Sequence, residues 1–180
     1  EVFAQSSGVS QYSKAYPSGS KTITIYARAV DITEIDINTQ SVTSVDLTNL
    51  TGMSSFIAGQ NASLSTVTLP VGNTQTWSDL QLNNCALSGT FDASSISMPA
   101  SFLLQNNTGL TMITFPNTGM CTQFRADNCD LTGTIDFTGI DIYGNIQIQS
   151  NPNLTGITFS TSSGATSNFQ AFNCGLTGTL

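Results

Sequence analysis

Apolar residues recur along the chain in one short pattern: two apolar positions two apart, a polar or thiol position three further on, then leucine. Phe56, Ala58, Asn61 and Leu64 follow it, and so do Leu80, Leu82, Cys85 and Leu87. The pattern returns at Phe102, Leu104, Asn107 and Leu110, and at Phe124, Ala126, Cys129 and Leu131. It returns again at Ile146, Ile148, Asn151 and Leu154, and at Phe169, Ala171, Cys174 and Leu176. Apolar residues at i and i+2 place two side chains on one face of a strand, with the intervening residue on the other face. Each copy therefore predicts one short strand followed by a turn. ITEIDI (32–37) and VTSVDL (42–47) read as entry coils of the same kind, and TITIYARA (22–29) as an alternating strand before them.

The closing leucines are 23, 23, 21, 23 and 22 residues apart. A fixed period of roughly 20–29 residues with this internal pattern is the signature of a leucine-rich-repeat solenoid. The predicted fold is thus a β-rich solenoid with a parallel sheet, coils of 21–23 residues and little α-helix. A second period lies on the first. The triplets NCA, NCD and NCG begin at 84, 128 and 173, so asparagine coils alternate with cysteine coils. The ladder positions are Asn61, Cys85, Asn107, Cys129, Asn151 and Cys174. An asparagine at such a turn can serve backbone groups of adjacent coils that would otherwise be buried unpaired, and cysteine fits the same slot as a compact buried group. Neighbouring parallel strands lie about 4.8 Å apart, which puts successive ladder cysteines about 9–10 Å apart. Disulfide geometry needs Cα atoms within about 7 Å, so free buried thiols are expected. Cys121 falls outside the ladder, as a free thiol in the core or at the surface.

The coils LSTVTLP (64–70), LTMITFP (110–116) and FQAFNCGLTG (169–178) resemble the BspA-like leucine-rich repeats of bacterial surface proteins. LTGTID (131–136) is similar to plant-type repeats, in which L-x-G-x-I forms a second strand. The resemblance covers about residues 42–180, and the strict alternation of cysteine and asparagine coils departs from both family patterns. It implies an extracellular location, at a cell surface, and adhesion to host or matrix molecules.

Three segments are expected: a tail or linker at 1–20, a strand cap at 21–41, and the solenoid at 42–180. The last segment stops at LTGTL in mid-coil, so the solenoid is expected to continue. The start EVFAQSS is compatible with the scar of a removed signal peptide. Only 8% of residues are charged, against about 25% in an average soluble protein. Net charge is −7, with Lys14, Lys21, Arg28 and Arg125 the four basic residues. Phosphate contacts need Lys and Arg, so nucleic acid is a poor partner. No run approaches the roughly 18 apolar residues of a membrane span, and no membrane insertion is expected.

Candidate chemistry is sparse. The chain has no His, which removes Ser-His and Cys-His nucleophile pairs and, with the lack of paired Cys motifs, a zinc site. Asp92 and Asp136 occupy equivalent positions two coils apart, at a distance that could suit the carboxylate pair of a carbohydrate-active enzyme. Aspartates at repeated turns are explained as well by bonds to their own backbone. Asp31, Glu34 and Asp36 match no calcium motif. Asn49, Asn61, Asn106 and Asn153 begin N-x-[ST] sequons, which arise by composition in such repeats. No enzyme activity, cofactor or metal is implied.

The outward strand positions remain. One column reads Ile57, Gln81, Leu103, Arg125, Gln147 and Gln170, and the next Gly59, Asn83, Gln105, Asp127, Gln149 and Phe172. Gln81, Asn83, Gln105, Arg125, Asp127, Gln147, Gln149, Gln170 and Phe172 are the candidate ligand-binding residues, because amides can meet sugar hydroxyls or peptide backbone with either end. The expected function is adhesion or ligand binding at a bacterial surface, with a protein or glycan as partner. The alternative is a structural subunit that self-assembles into a fibre, a surface appendage or a phage virion. A carbohydrate-active enzyme is the remote third.

Overall fold

The structure, a computed structural model, describes residues 32–161, 164 and 166–177. The expected tail and the strand at 22–29 lie outside the described residues. Thirteen strands follow one another among the described residues: β1 (Glu34–Asp36), β2 (Ser44–Asp46), β3 (Ser55–Ile57), β4 (Thr66–Thr68), β5 (Asp79–Gln81), β6 (Ser88–Asp92) and β7 (Ser101–Leu103), then β8 (Gly109–Thr114), β9 (Met120–Arg125), β10 (Gly133–Phe137), β11 (Asp141–Gln147), β12 (Leu154–Phe159) and β13 (Asn168–Gln170). Helix is absent from them.

The odd-numbered strands stack into one seven-stranded parallel sheet in the order β1-β3-β5-β7-β9-β11-β13. Each pairs with the strand one full turn away, so the chain is a parallel β-solenoid of about six turns. Register follows the sequence pattern: Ile35, Phe56, Leu80, Phe102, Phe124, Ile146 and Phe169 align in one inward column. Phe56, Leu80, Phe102, Phe124 and Ile146 are fully buried, as are Ala58, Leu82, Leu104, Ala126 and Ile148 behind them. β1 is the first described strand of this sheet, so the expected cap boundary at residue 41 falls inside a coil.

The even-numbered strands form the opposite wall, but only as pairs: β2 with β4, β6 with β8, and β10 with β12. Each pair joins a coil to the asparagine coil that follows it. Gly89 and Gly133, the glycines of the two L-x-G-x-I-like segments, have φ of 68° and 69°. That left-handed backbone is open to glycine without steric cost. It lets the shorter cysteine coil enter the pair, where the register shifts by one residue directly after each glycine.

The two coil types differ by one residue. From the inward strand residue to the closing leucine, Phe56 to Leu64 is eight steps and Leu80 to Leu87 is seven. The extra residue lets an asparagine coil close its own turn. The N–H groups of Leu64, Leu110 and Leu154 donate to the backbone oxygens of Asn61, Asn107 and Asn151 at 2.8, 3.0 and 3.1 Å. A seven-step coil has no such turn. Its closing N–H donates instead to the side-chain Oδ1 of the asparagine in the next coil: Val42 to Asn61, Leu87 to Asn107 and Leu131 to Asn151. Each ladder asparagine thus completes the coil before it, which gives the alternation a physical reason.

Candidate functional site

The outward face of the seven-stranded sheet holds all nine candidate residues. The strands present Gln81, Arg125, Gln147 and Gln170 in one column, all half-buried. The next column, two residues further along the chain and just past each strand, carries Asn83, Gln105, Asp127, Gln149 and Phe172. It sits closer to the core than alternation alone predicts. Gln105 and Asp127 are only 8% and 9% exposed, whereas Phe172 is 60% exposed. The chain bends there: Gln60, Asn84, Asn106, Asn128, Ser150 and Asn173 each take a left-handed φ of 55–63° one step beyond the column. The bend crowds side chains of adjacent coils, and a Cβ on Gly59 would meet Asn83 Oδ1 at 2.6 Å.

Arg125 and Asp127 form a two-point ion pair, Nε to Oδ1 at 3.0 Å and Nη2 to Oδ2 at 3.1 Å. The fork fixes both side chains flat on the sheet. Gln147 Nε2 reaches Gln170 Oε1 at 3.5 Å, the limit of a hydrogen bond, and Gln81 Nε2 donates to Asp79 Oδ1 at 3.0 Å. Gln105 Oε1 and Gln149 Oε1 are buried and have no hydrogen-bond partner. Beside the face, a run of amides links three coils: exposed Asn128 donates to half-buried Asn106, and Asn106 to half-buried Asn84, both at 2.8 Å.

The ladder residues point the other way, into the turn. Asn61, Asn107 and Asn151 are fully buried. The Nδ2 of each donates to two backbone oxygens, one in its own coil and one in the coil before: Ala58 and Ile37, Leu104 and Leu82, Ile148 and Ala126. The thiols of Cys85, Cys129 and Cys174 donate to Ala58, Leu104 and Ile148 at 3.4, 3.4 and 3.2 Å. With Asn61 fully buried, its sequon cannot carry a glycan in the folded chain.

All four cysteines are free. Burial pushes the Cys121 thiol up to about 12 and Cys129 up to about 11, and Cys85 is also raised. Cys121 is a core residue aligned with Ile142 of β11. The folded state therefore keeps these protons where an unfolded thiol has lost them. Stability is fully present below pH about 9 and falls as pH rises towards 11–12, by about 1.4 kcal/mol per pH unit for each thiol still protonated only in the folded state. Urea midpoints measured from pH 8 to 11 are expected to decline, and Cys121→Val to flatten the decline. A pH-independent midpoint would contradict the buried thiols.

Asp92 and Asp136, the carboxylates two coils apart, each close a turn on themselves. Asp92 Oδ1 accepts from Ser94 N–H, and Asp136 Oδ1 from the hydroxyl and N–H of Thr138. The hydroxyls and then the N–H groups hold both carboxyls below the usual range, as they do for Asp46 with Thr48. A general acid needs the opposite shift. Among the described residues no group of three or more His, Cys, Asp or Glu is placed to hold a metal ion. No helix of the described residues is long and apolar enough to cross a membrane. No family model, curated protein or solved structure matches the chain.

Proposed function

We propose that this chain is a non-catalytic binding module of a bacterial surface, built from leucine-rich repeats of the BspA-like kind and holding a protein or glycan against the outward face of its seven-stranded sheet. One observation carries the reading: the face combines a fixed backbone register with polar groups held in place. The Arg125–Asp127 fork is locked at its centre, and unpaired amide oxygens flank it one coil away on either side. Rigid elements that present preset polar groups are the usual basis of a binding surface, and solenoids use their extended faces this way. The low charge and the four basic residues fit a ligand that is neither nucleic acid nor anionic lipid.

Immunogold electron microscopy of the source material, with an antibody against residues 42–180, tests location and role together. Label on the cell envelope is the expected result. Label along filaments or on virus-like particles would replace this reading with that of a structural subunit.

A further inference from the structure

We infer that the solenoid is jointed: it yields in units of two coils, each a short coil with the asparagine coil that follows it, and its joints lie between β4 and β6 and between β8 and β10. The inference goes beyond the binding reading and holds whatever the outward face meets. On the opposite wall the strands pair only inside such units, β2 with β4, β6 with β8 and β10 with β12. The ladder asparagines tie the same units. Asn107 accepts from Leu87 N–H and donates to the Leu82 oxygen, and Asn151 does the same for Leu131 and Ala126. Both ends of each amide thus reach back into the short coil of their own unit, as do those of Asn61, to Val42 and Ile37.

Across the joints the same positions hold less. The ladder residue that reaches back over a joint is a cysteine: Cys85 to the Ala58 oxygen and Cys129 to the Leu104 oxygen, both at 3.4 Å. A thiol is a weak donor, and it offers one bond where the asparagine amide offers one at each end. Among the described residues, backbone bonds cross the opposite wall only at the start of each joint. At the first, Ala86 N–H donates to the Leu64 oxygen at 2.9 Å; at the second, the N–H groups of Asp130 and Thr132 donate to the Leu110 and Thr111 oxygens at 3.1 and 3.0 Å. Beyond them β6 and β10 keep register with β8 and β12 alone, after the shift at Gly89 and Gly133. The first joint holds an open cleft of about 330 Å³ between Thr66 and Thr68 of β4 and Thr90 and Asp92 of β6, lined also by buried Leu69 and Phe91. The seven-stranded sheet runs unbroken through both joints, and on the remaining wall Ala100 N–H bonds to the Trp77 oxygen and Asp141 N–H to the Gly119 oxygen. The sheet is thus the spine about which the joints open, so the outward face can change curvature and keep its register.

Single-molecule stretching of the full chain, pulled from its two ends, is the test. The equivalent residues Phe56, Phe102 and Ile146 are 46 and 44 residues apart, so each unit should release about 150 Å of chain in one step. Coils that yield singly would release about 75 Å per step, and an indivisible solenoid about 450 Å at once; either result overturns the inference. Variants locate the joints. Asn107→Ala removes the tie inside the middle unit and should split its step into two of about 75 Å, whereas Cys129→Ala should leave every step length unchanged. An unsplit middle step in Asn107→Ala, or a split one in Cys129→Ala, overturns the inference. If Asn107→Ala does not fold, hydrogen exchange of the unaltered chain in rising urea decides, because it resolves cooperative blocks within a native structure. Protection should be lost in blocks that end after β4, β8 and β12, and blocks that end after β2, β6 and β10 overturn the inference.

Discussion

Asn151→Leu should lower the free energy of unfolding by about 3 kcal/mol or more, seen as a large drop in the urea midpoint. Leucine has as many side-chain heavy atoms as asparagine but is bulkier, and it strands two buried backbone groups. The Leu131 N–H loses its acceptor at 3.0 Å, and the Ala126 oxygen loses its donor at 2.9 Å. Each orphaned group costs about 1–3 kcal/mol. The Ile148 oxygen suffers less, because Cys174 also donates to it. The branched leucine must then fit a turn shaped around a flat amide, which adds strain. Cys129→Ser is the control. Its hydroxyl can donate to the Leu104 oxygen as the thiol does, so its midpoint should shift by less than about 1 kcal/mol. Equal effects at the two positions would show that the ladder residues merely fill space.

That asymmetry between rungs is the part of the fold that the chain's pattern states but does not explain. The inward columns, the parallel stacking and the free cysteines follow from spacing, because a side chain two residues from another on a strand shares its face. The extra residue in Asn61, Asn107 and Asn151 coils is equally visible in the sequence. Its consequence is not, because it depends on which N–H the longer turn satisfies. Only the three-dimensional turn shows that Leu110 is served from within its own coil and Leu87 by Asn107 of the next. Cys121 stays open between core and surface in the sequence for a related reason: it lies at the start of β9, ahead of the repeated positions, and its alignment with Ile142 decides its burial.

The candidate face was legible as a set of residues and less so as a surface. Alternation assigns Gln105, Asp127 and Gln149 to the outside. It cannot foresee that the left-handed bend after each of them folds the column down against the sheet. The inversion matters, since a solvated glutamine is chemically bland and a buried one with an unpaired oxygen is not. Nor does alternation show that Arg125 at the end of β9 and Asp127 two residues on pair with each other and leave the glutamine Oε1 atoms on both sides without a partner.

Phe124→Ala should cost about 3–5 kcal/mol, the range for deleting a fully buried ring. Phe124 is 0% exposed and sits at the centre of an aromatic spine. Its ring centroid lies 5.7 Å from Phe102, 5.5 Å from Phe115 and 5.3 Å from Phe137, at tilted or edge-on angles. Such pairs add about 0.5–1.5 kcal/mol each beyond burial. The partners come from Phe124's own coil and the coil before it, and from both walls, so the cavity would loosen coil-to-coil stacking within the described solenoid. Phe169→Ala should cost clearly less, because Phe169 is only partly buried and its described ring partner is Phe159 alone, at 6.0 Å. The difference reaches the outward face as well. Arg125 follows Phe124 directly in β9, and the strand that holds the ion pair is seated by that ring. A melt in which Phe124→Ala and Phe169→Ala fall equally would mean that coils near the end share the middle's cooperative packing. A larger fall for Phe124→Ala would locate the solenoid's stability beneath the same coil that anchors the polar row.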